Sequence, residues 1–233
     1  MSQHSFEIGE EDSQAFDAMH RMNRMYRWQR HIYDASRRYY LLGRDRMIAN
    51  LRPAVGANVL EIGCGTGRNL VQAARRYPQA RFFGVDVSTE MLASAMTAIA
   101  RAGLAGRIAL AQADATSADP RIIFSIPAFD QVIISYSLSM IPEWRPVLGE
   151  AARLLKPRGR LHIIDFGGLE RLPAMRAALL RWLALFGVAP RDDLEHELSA
   201  LAVASGADLT FERPFRGYAQ YAVLTSPSRT TTP

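Results

Sequence analysis

Apolar residues fall into two rhythms along this chain. Short apolar runs lie near 58–62, 80–85, 107–112, 129–135, 160–165, 209–215 and 218–224, with the length and β-branched content of strands. Segments with apolar positions three and four apart fit helices near 67–76, 89–102, 145–155, 170–187 and 192–205. Strand and helix alternate, which predicts an α/β fold built on a doubly wound parallel sheet. Lys156-Pro157-Arg158-Gly159 reads as a turn into the fifth strand, with proline second and glycine fourth. The last two strands are too close for a crossover helix, so a hairpin is expected at Arg216-Gly217. Upstream, Met22, Met25, Ile32, Tyr33, Tyr40 and Leu41 recur at helical steps among arginines, and Gly43, Pro53 and Gly56 punctuate the approach to the first strand.

Composition narrows the class. The chain has 233 residues, 48% of them hydrophobic, enough to bury a full core in one domain and to exclude global disorder. The single cysteine excludes a disulfide framework and a cysteine-based metal site, and no metal is expected. Residues 1–17 are polar and acidic, without the apolar segment of a secretory signal. No run approaches the roughly 18 apolar residues of a membrane span. The chain therefore reads as soluble and cytoplasmic, divided into a disordered acidic tail (1–17), a helical lid or substrate segment (18–52) and a sheet domain (53–226).

Charge is placed unevenly. Residues 1–17 hold five acids and no Lys or Arg, whereas residues 21–52 hold nine arginines against Asp34 and Asp45. That local excess of seven (9 − 2) exceeds the net charge of +5 for the whole chain. A GC-rich genome would account for arginine in general but not for its clustering. Such a segment attracts anionic surfaces, lipid or nucleic acid.

The most specific stretch is Val59-Leu60-Glu61-Ile62-Gly63-Cys64-Gly65-Thr66-Gly67, a strand running into a turn with glycine at alternate positions and a helix after it. Glycines let the backbone approach a ligand closely, and the helix N-terminus offers unpaired N–H groups. Position 68 is Arg, so the spacing is not the G-x-G-x-x-G of dinucleotide binders. The stretch resembles motif I of the class I S-adenosylmethionine (SAM) methyltransferases. The resemblance implies a Rossmann-like seven-stranded sheet, SAM as methyl donor and S-adenosylhomocysteine as product. It also implies cofactor contacts from Glu61 and from the backbone at Gly63, Cys64, Gly65 and Gly67, with Cys64 as a small filler rather than a nucleophile.

Ligands of open α/β sheets bind at the carboxyl ends of strands. Asp86 ends the second strand and matches the acid that accepts the ribose hydroxyls, with Val87 and Met91 beyond it beside the cofactor. Asp114, with Ala115, follows the third strand and resembles the residue that takes the adenine amine. Ser135 and Tyr136 close the fourth strand, where the family places contacts to the methionine moiety.

The runs Met25-Tyr26-Arg27-Trp28-Gln29-Arg30-His31-Ile32-Tyr33-Asp34 and Arg38 to Arg46, together with Ser135 to Trp144, resemble the bacterial diacylglyceryl-homoserine N-methyltransferases of betaine-lipid synthesis. An amine methylated three times becomes a quaternary ammonium, which aromatic faces stabilise by about 0.5–2 kcal/mol per well-placed ring. Tyr26, Tyr33, Tyr39, Tyr40, Tyr136 and Trp144 are candidates for that cage, two or three of them facing substrate and the others packing the lid. Arg44 or Arg46 could take the headgroup carboxylate, or a lid arginine the SAM carboxylate. His31 is a candidate base, though a lone histidine on an arginine-rich helix is more often a surface residue; Tyr33 and Tyr136 are its companions at the catalytic centre. His162, within the fifth strand, reads as structural.

A lipid acceptor calls for peripheral attachment to an anionic membrane surface, on its inner face. The arginine-rich segment could supply this, as could the amphipathic run Leu172 to Phe186, unless that helix simply packs on the sheet. The rivals are a phosphatidylethanolamine N-methyltransferase, a methyltransferase of a small soluble acceptor, and a nucleic-acid or SAM-sensing protein. No nucleic-acid motif supports the last.

Overall fold

The structure is a computed structural model that describes residues 41–169, 173–185 and 187–228. The expectations for residues 1–40, including Tyr26, His31, Tyr33, Tyr39 and Tyr40, lie outside the described residues. The compact unit that holds the sheet begins at Leu42. It opens with α1 (Arg44–Leu51), the end of the segment read from sequence as a lid, which presents Met47, Ile48 and Leu51 to the core.

Strand and helix then alternate as β1 (Asn58–Ile62), α2 (Arg68–Arg76), β2 (Arg81–Asp86), α3 (Thr89–Arg101), β3 (Ile108–Gln112), α4 (Pro120–Phe124), β4 (Phe129–Ser135), α5 (Trp144–Arg153) and β5 (Leu155–Phe166). The chain continues through α6 (Pro173–Ala184), α7 (Leu194–Ser205), β6 (Asp208–Glu212), α8 (Pro214–Gly217) and β7 (Ala219–Thr225). The seven strands form one sheet in the order β3-β2-β1-β4-β5-β7-β6. The first five are parallel and β7 runs antiparallel to both its neighbours. This is the doubly wound sheet with a terminal hairpin that the alternation predicts, and its strand order reverses between β1 and β4.

Both faces of the central strands are covered, so their side chains are apolar with few exceptions. Leu60, Ile62, Phe83, Val85, Val132, Ile134, Leu161 and Ile163 face one core with α5 and α7. The intervening residues face the other side, where Glu61, Gln131 and His162 are buried polar exceptions. Gln131 Nε2 donates to the Leu51 carbonyl at 2.7 Å, tying α1 to the sheet. His162 Nδ1 lies 3.1 Å from the Tyr221 hydroxyl, and burial pushes its pKa down to about 3, which makes it a neutral structural residue.

Three boundaries differ from the sequence reading. β5 begins at Leu155, because Phe129 pairs with Leu155 and Gln131 with Arg160, and the expected turn at Lys156–Gly159 bulges out within the strand. Lys156 Nζ and the Asn58 N–H both bind Asp130 Oδ2 at 2.8 Å and hold that bulge down. β6 ends at Glu212 rather than 215, since Pro214 has no N–H to pair and Phe215 and Arg216 take left-handed φ of 56° and 58°. α4 was not anticipated; it is five residues long, too short for a periodic signal, and Asp119 caps it by accepting the Arg121 N–H at 2.8 Å.

Candidate active site

At the carboxyl end of β1 the chain turns through Gly63, Gly65 and Gly67, with φ of 70°, 53° and 72°. These left-handed conformations strain any residue with a Cβ, and a Cβ on Gly63 would lie 2.5 Å from that of Ser137. The Gly63 and Cys64 N–H groups donate to the Val85 carbonyl at 2.9 and 3.0 Å, so the turn is fixed against β2. Gly67 caps α2 without a side chain, leaving the first-turn N–H groups directed at the turn. Cys64 is buried, and burial, with Glu61 and Asp86 nearby, raises its thiol pKa; it is a filler rather than a nucleophile.

Asp86 anchors this turn as well as ending β2. Its Oδ2 accepts the Gly65 N–H at 2.7 Å and its Oδ1 the Ser88 N–H at 3.0 Å. Each carboxylate oxygen can accept a second hydrogen bond, which is the capacity a ribose diol requires. Val87 is exposed, its carbonyl accepting from Gln112 Nε2 at 3.1 Å, and Met91 sits in the first turn of α3 with its N–H on Ser88 Oγ at 3.2 Å. Asp114 is exposed and accepts both the N–H and the hydroxyl of Thr116, which holds its pKa below the usual carboxylate range. With Ala115, Ile62, Val85, Arg121 and Glu150 it lines a cavity of about 250 Å³.

Glu61 carries the strongest electrostatic signature of the site. It is 1% exposed, and Asn69 Nδ2 on α2 donates to its Oε1 at 2.7 Å. Its Oε2 is buried without a hydrogen-bond partner among the described residues. Desolvation pushes its pKa up to about 8, against the downward pull of the Asn69 bond and of the Arg44 charge. Arg44 is itself buried, at the start of α1. An acid with one orphaned oxygen at the head of the glycine turn suits a cationic ligand group. The donor set fits SAM, whose methionine end carries an ammonium.

The β4 end is less open than expected. Ser135 Oγ is buried and lacks a partner among the described residues. Tyr136 takes a left-handed φ of 55°, is 2% exposed and donates its hydroxyl to the Leu42 carbonyl at 2.7 Å. Burial, with Asp165 close by, raises its pKa well above the ordinary phenol value. Its phenol therefore ties β4 to the segment before α1. Trp144 is a correction to the sequence reading: it is 2% exposed in the core beneath α5 rather than in a cage. The guanidinium groups of Arg145 and Arg191 already lie 4.8 and 5.7 Å from its ring centre. Arg46 pairs at the surface with Glu212 at 2.5 Å.

Sequence reasoning missed Asn69 and Asp165. Asp165, the penultimate residue of β5, accepts the Ser139 and Phe166 N–H groups at 3.1 and 2.7 Å, and its pKa is pushed up to about 6 by burial. The rule that singled out Asp86 and Asp114, an acid at a strand's carboxyl tip, would have found it. Asn69 gains its meaning only from its partner Glu61 on another element.

Residues 59–159 match the family described as methyltransferase domain. Ubiquinone/menaquinone biosynthesis C-methyltransferase UbiE of Syntrophotalea carbinolica is 32% identical over 139 residues, covering 58% of this chain and 56% of its own. Phosphatidylethanolamine N-methyltransferase of Cereibacter sphaeroides is 34% identical over 131 residues, covering 55% of this chain and 61% of its own. The chain thus spans less than two thirds of the length of these relatives. Among solved structures, an O-methyltransferase family protein from Burkholderia thailandensis shares the fold with a TM-score of 0.66 at 20% identity, over 84% of this chain and 59% of that one. Methyl acceptors at carbon, nitrogen and oxygen all occur among these proteins' names; the glycine turn and the strand order give this chain the class I methyltransferase fold, which implies SAM as the methyl donor, and residues 59–159 match a methyltransferase domain.

Proposed function

We propose that the chain is a SAM-dependent N-methyltransferase that methylates the amine of diacylglyceryl-homoserine three times to give the trimethyl betaine lipid. The resemblance of residues 25–46 and 135–144 to the betaine-lipid enzymes carries this reading. The similarity to a named phosphatidylethanolamine N-methyltransferase, acting on another lipid amine, supports it.

SAM, when bound, supplies an electrophilic methyl group on a sulfonium. The chain's own part is to hold and orient. Glu61 Oε2 would hold the cationic methionine end, Asp86 the ribose and Asp114 the adenine edge, all at or just beyond the carboxyl ends of β1, β2 and β3. That leaves the carboxyl ends of β4 and β5 and the start of β7 for the acceptor. Ser135 and Tyr136 stand between the two halves, and the Tyr136–Leu42 hydrogen bond fixes the floor on which they meet. Transfer is an in-line displacement, so alignment and exclusion of water do most of the work. The acceptor amine attacks as the free base; the ammonium left by each of the first two transfers gives up a proton to His31 or to solvent, and the third transfer leaves a quaternary ammonium with no proton to lose.

The second reading, a phosphatidylethanolamine acceptor, is favoured by the named relative. Purified protein and SAM are incubated with vesicles containing one lipid or the other. Turnover of the homoserine lipid at least about tenfold over the phospholipid is expected; turnover of the phospholipid alone, or undiminished turnover of a soluble amine without vesicles, overturns the reading. Peripheral attachment belongs to the same proposal: no described helix is long and apolar enough to cross a membrane.

A further inference from the structure

The segment after β4 packs against the cofactor turn on one side and the end of β5 on the other. It is a single 3₁₀ turn, Leu138–Met140, entered through Tyr136 at its left-handed φ of 55°. Ser137 joins it to the cofactor turn. The Ser137 hydroxyl donates to the Ile62 carbonyl at 3.1 Å, and its Cβ fills the space beside Gly63 that a second Cβ would need. One turn of 3₁₀ helix has too few internal hydrogen bonds to fix its own place, so its position is set by what holds it from outside.

That hold is polar and comes from later parts of the chain. Asp165, 0% exposed, accepts the Ser139 N–H at Oδ2 and the Phe166 N–H at Oδ1. Arg191, in the linker between α6 and α7, donates from Nε to the Leu138 carbonyl at 3.1 Å and from Nη2 to the Ile141 carbonyl at 2.7 Å. The Ala189 N–H of the same linker donates to the Ser139 carbonyl at 2.9 Å. Gln220 pairs with Asp165 across β5 and β7 and ties the linker to the sheet, its Nε2 donating to the Arg191 carbonyl at 3.0 Å and the Phe166 carbonyl at 2.9 Å. The Arg191 guanidinium also lies against the Trp144 ring, which limits its freedom before it meets the turn. An acid thus holds one N–H of the turn and a guanidinium holds two of its carbonyls. Such charge-assisted bonds are roughly twice as strong as neutral ones.

We propose that Arg191 and Asp165 are positioning residues for methyl transfer: by fixing residues 137–141 they fix the glycine turn beside them, and with it the line along which the donor's methyl group is presented. The inference needs transfer from SAM alone, whatever the acceptor, and so goes beyond the lipid reading above. Neither side chain has to touch cofactor or acceptor; both act through the turn. In-line displacement is sensitive to alignment, and a misplacement of about 1 Å can cost on the order of 100-fold in rate. A loosened turn therefore slows transfer more than it weakens binding.

The test compares the full chain with three variants. Arg191→Met keeps an unbranched stem and removes the donors, Arg191→Lys restores the charge, and Arg145→Met removes the other guanidinium on Trp144 without touching the turn. Hydrogen exchange of residues 61–67 and 137–141 is read by mass spectrometry, alongside S-adenosylhomocysteine affinity, melting temperature and kcat on vesicles of diacylglyceryl-homoserine. Arg191→Met should raise exchange in both segments by at least about fivefold and lower kcat by about 10- to 100-fold, while S-adenosylhomocysteine affinity falls by less than about fivefold. Arg191→Lys should recover part of the lost kcat, and Arg145→Met should match wild type. Asp165→Asn, which turns an acceptor toward an N–H into a donor, should act in the direction of Arg191→Met; wild-type values there remove Asp165 from the proposal. Wild-type exchange at residues 61–67 in Arg191→Met overturns it, even with a lowered melting temperature, because Arg191 would then only pack its own linker. So does S-adenosylhomocysteine affinity lost as steeply as kcat. A wild type that leaves the homoserine lipid unmethylated removes the acceptor reading instead, and exchange at residues 61–67 still decides for or against Arg191.

Discussion

Burying a carboxyl without a full set of partners costs free energy, and the residue escapes by holding its proton. Glu61 does this, with a pKa pushed from 4.5 up to about 8. Its folded value lies above its unfolded one, so its contribution to stability is fully present below about pH 4.5 and is lost as pH rises through about 8. Asp165, raised from 3.8 to about 6, adds a loss of the same sign at lower pH. Urea unfolding of wild type and Glu61→Gln between about pH 6.5 and 8.5 isolates the Glu61 part: wild type should lose on the order of 1–3 kcal/mol and the variant clearly less. A cationic cofactor group beside Glu61 would expel its proton, so SAM should bind more tightly at about pH 8 than at pH 6. Calorimetry in buffers of different ionisation enthalpy reads the released proton, and no release would detach Glu61 from the cofactor. Asp86→Ala should weaken SAM binding by at least about thirtyfold, since it removes both a ribose acceptor and the anchor of the Gly65 N–H. Unchanged affinity would remove that role. At this scale the sequence displayed Glu61, Asp86 and Asp114 because each lies at or just beyond the carboxyl end of an apolar strand. Asn69 was hidden because the group that defines it, the Glu61 carboxyl, comes from another element.

Elements were legible where burial imposes a strong pattern. The two-sided core makes the central strands largely apolar, and each of β1 to β4 lies within a residue of its expected place. The bulge in β5, the early end of β6 and the short α4 obey hydrogen-bond logic that composition does not reveal: an aspartate shared by Lys156 and Asn58, a proline without an N–H, and a capping Asp119. Helix α5 illustrates how a motif residue can be read for the wrong job. Trp144 looked like a cage ring because it follows the Ser135–Tyr136 segment, yet it opens α5 and turns into the core. Trp144→Ala should therefore cost about 3–5 kcal/mol in denaturant unfolding, as large-to-small core changes do. A variant of wild-type stability that has lost only acceptor binding would return Trp144 to the cage.

At the scale of the whole molecule, one group of exposed arginines among the described residues stands away from the chemistry. The cofactor residues lie at the carboxyl ends of the strands, whereas Arg75, Arg76, Arg81 and Arg101 stand exposed at the other edge. Arg75→Glu combined with Arg76→Glu should therefore leave lipid turnover within about twofold of wild type when the acceptor vesicles are uncharged. A collapse of turnover would mean that the far edge contributes to acceptance. The molecular reading comes down to where the methyl group goes. Incubating the chain with SAM labelled CD3 and vesicles of diacylglyceryl-homoserine, then sequencing the headgroup by tandem mass spectrometry, reads this directly. The account predicts successive products carrying one, two and three CD3 groups, all on nitrogen. Label on carbon or oxygen, or no label in the lipid while SAM is consumed on another acceptor, would contradict it.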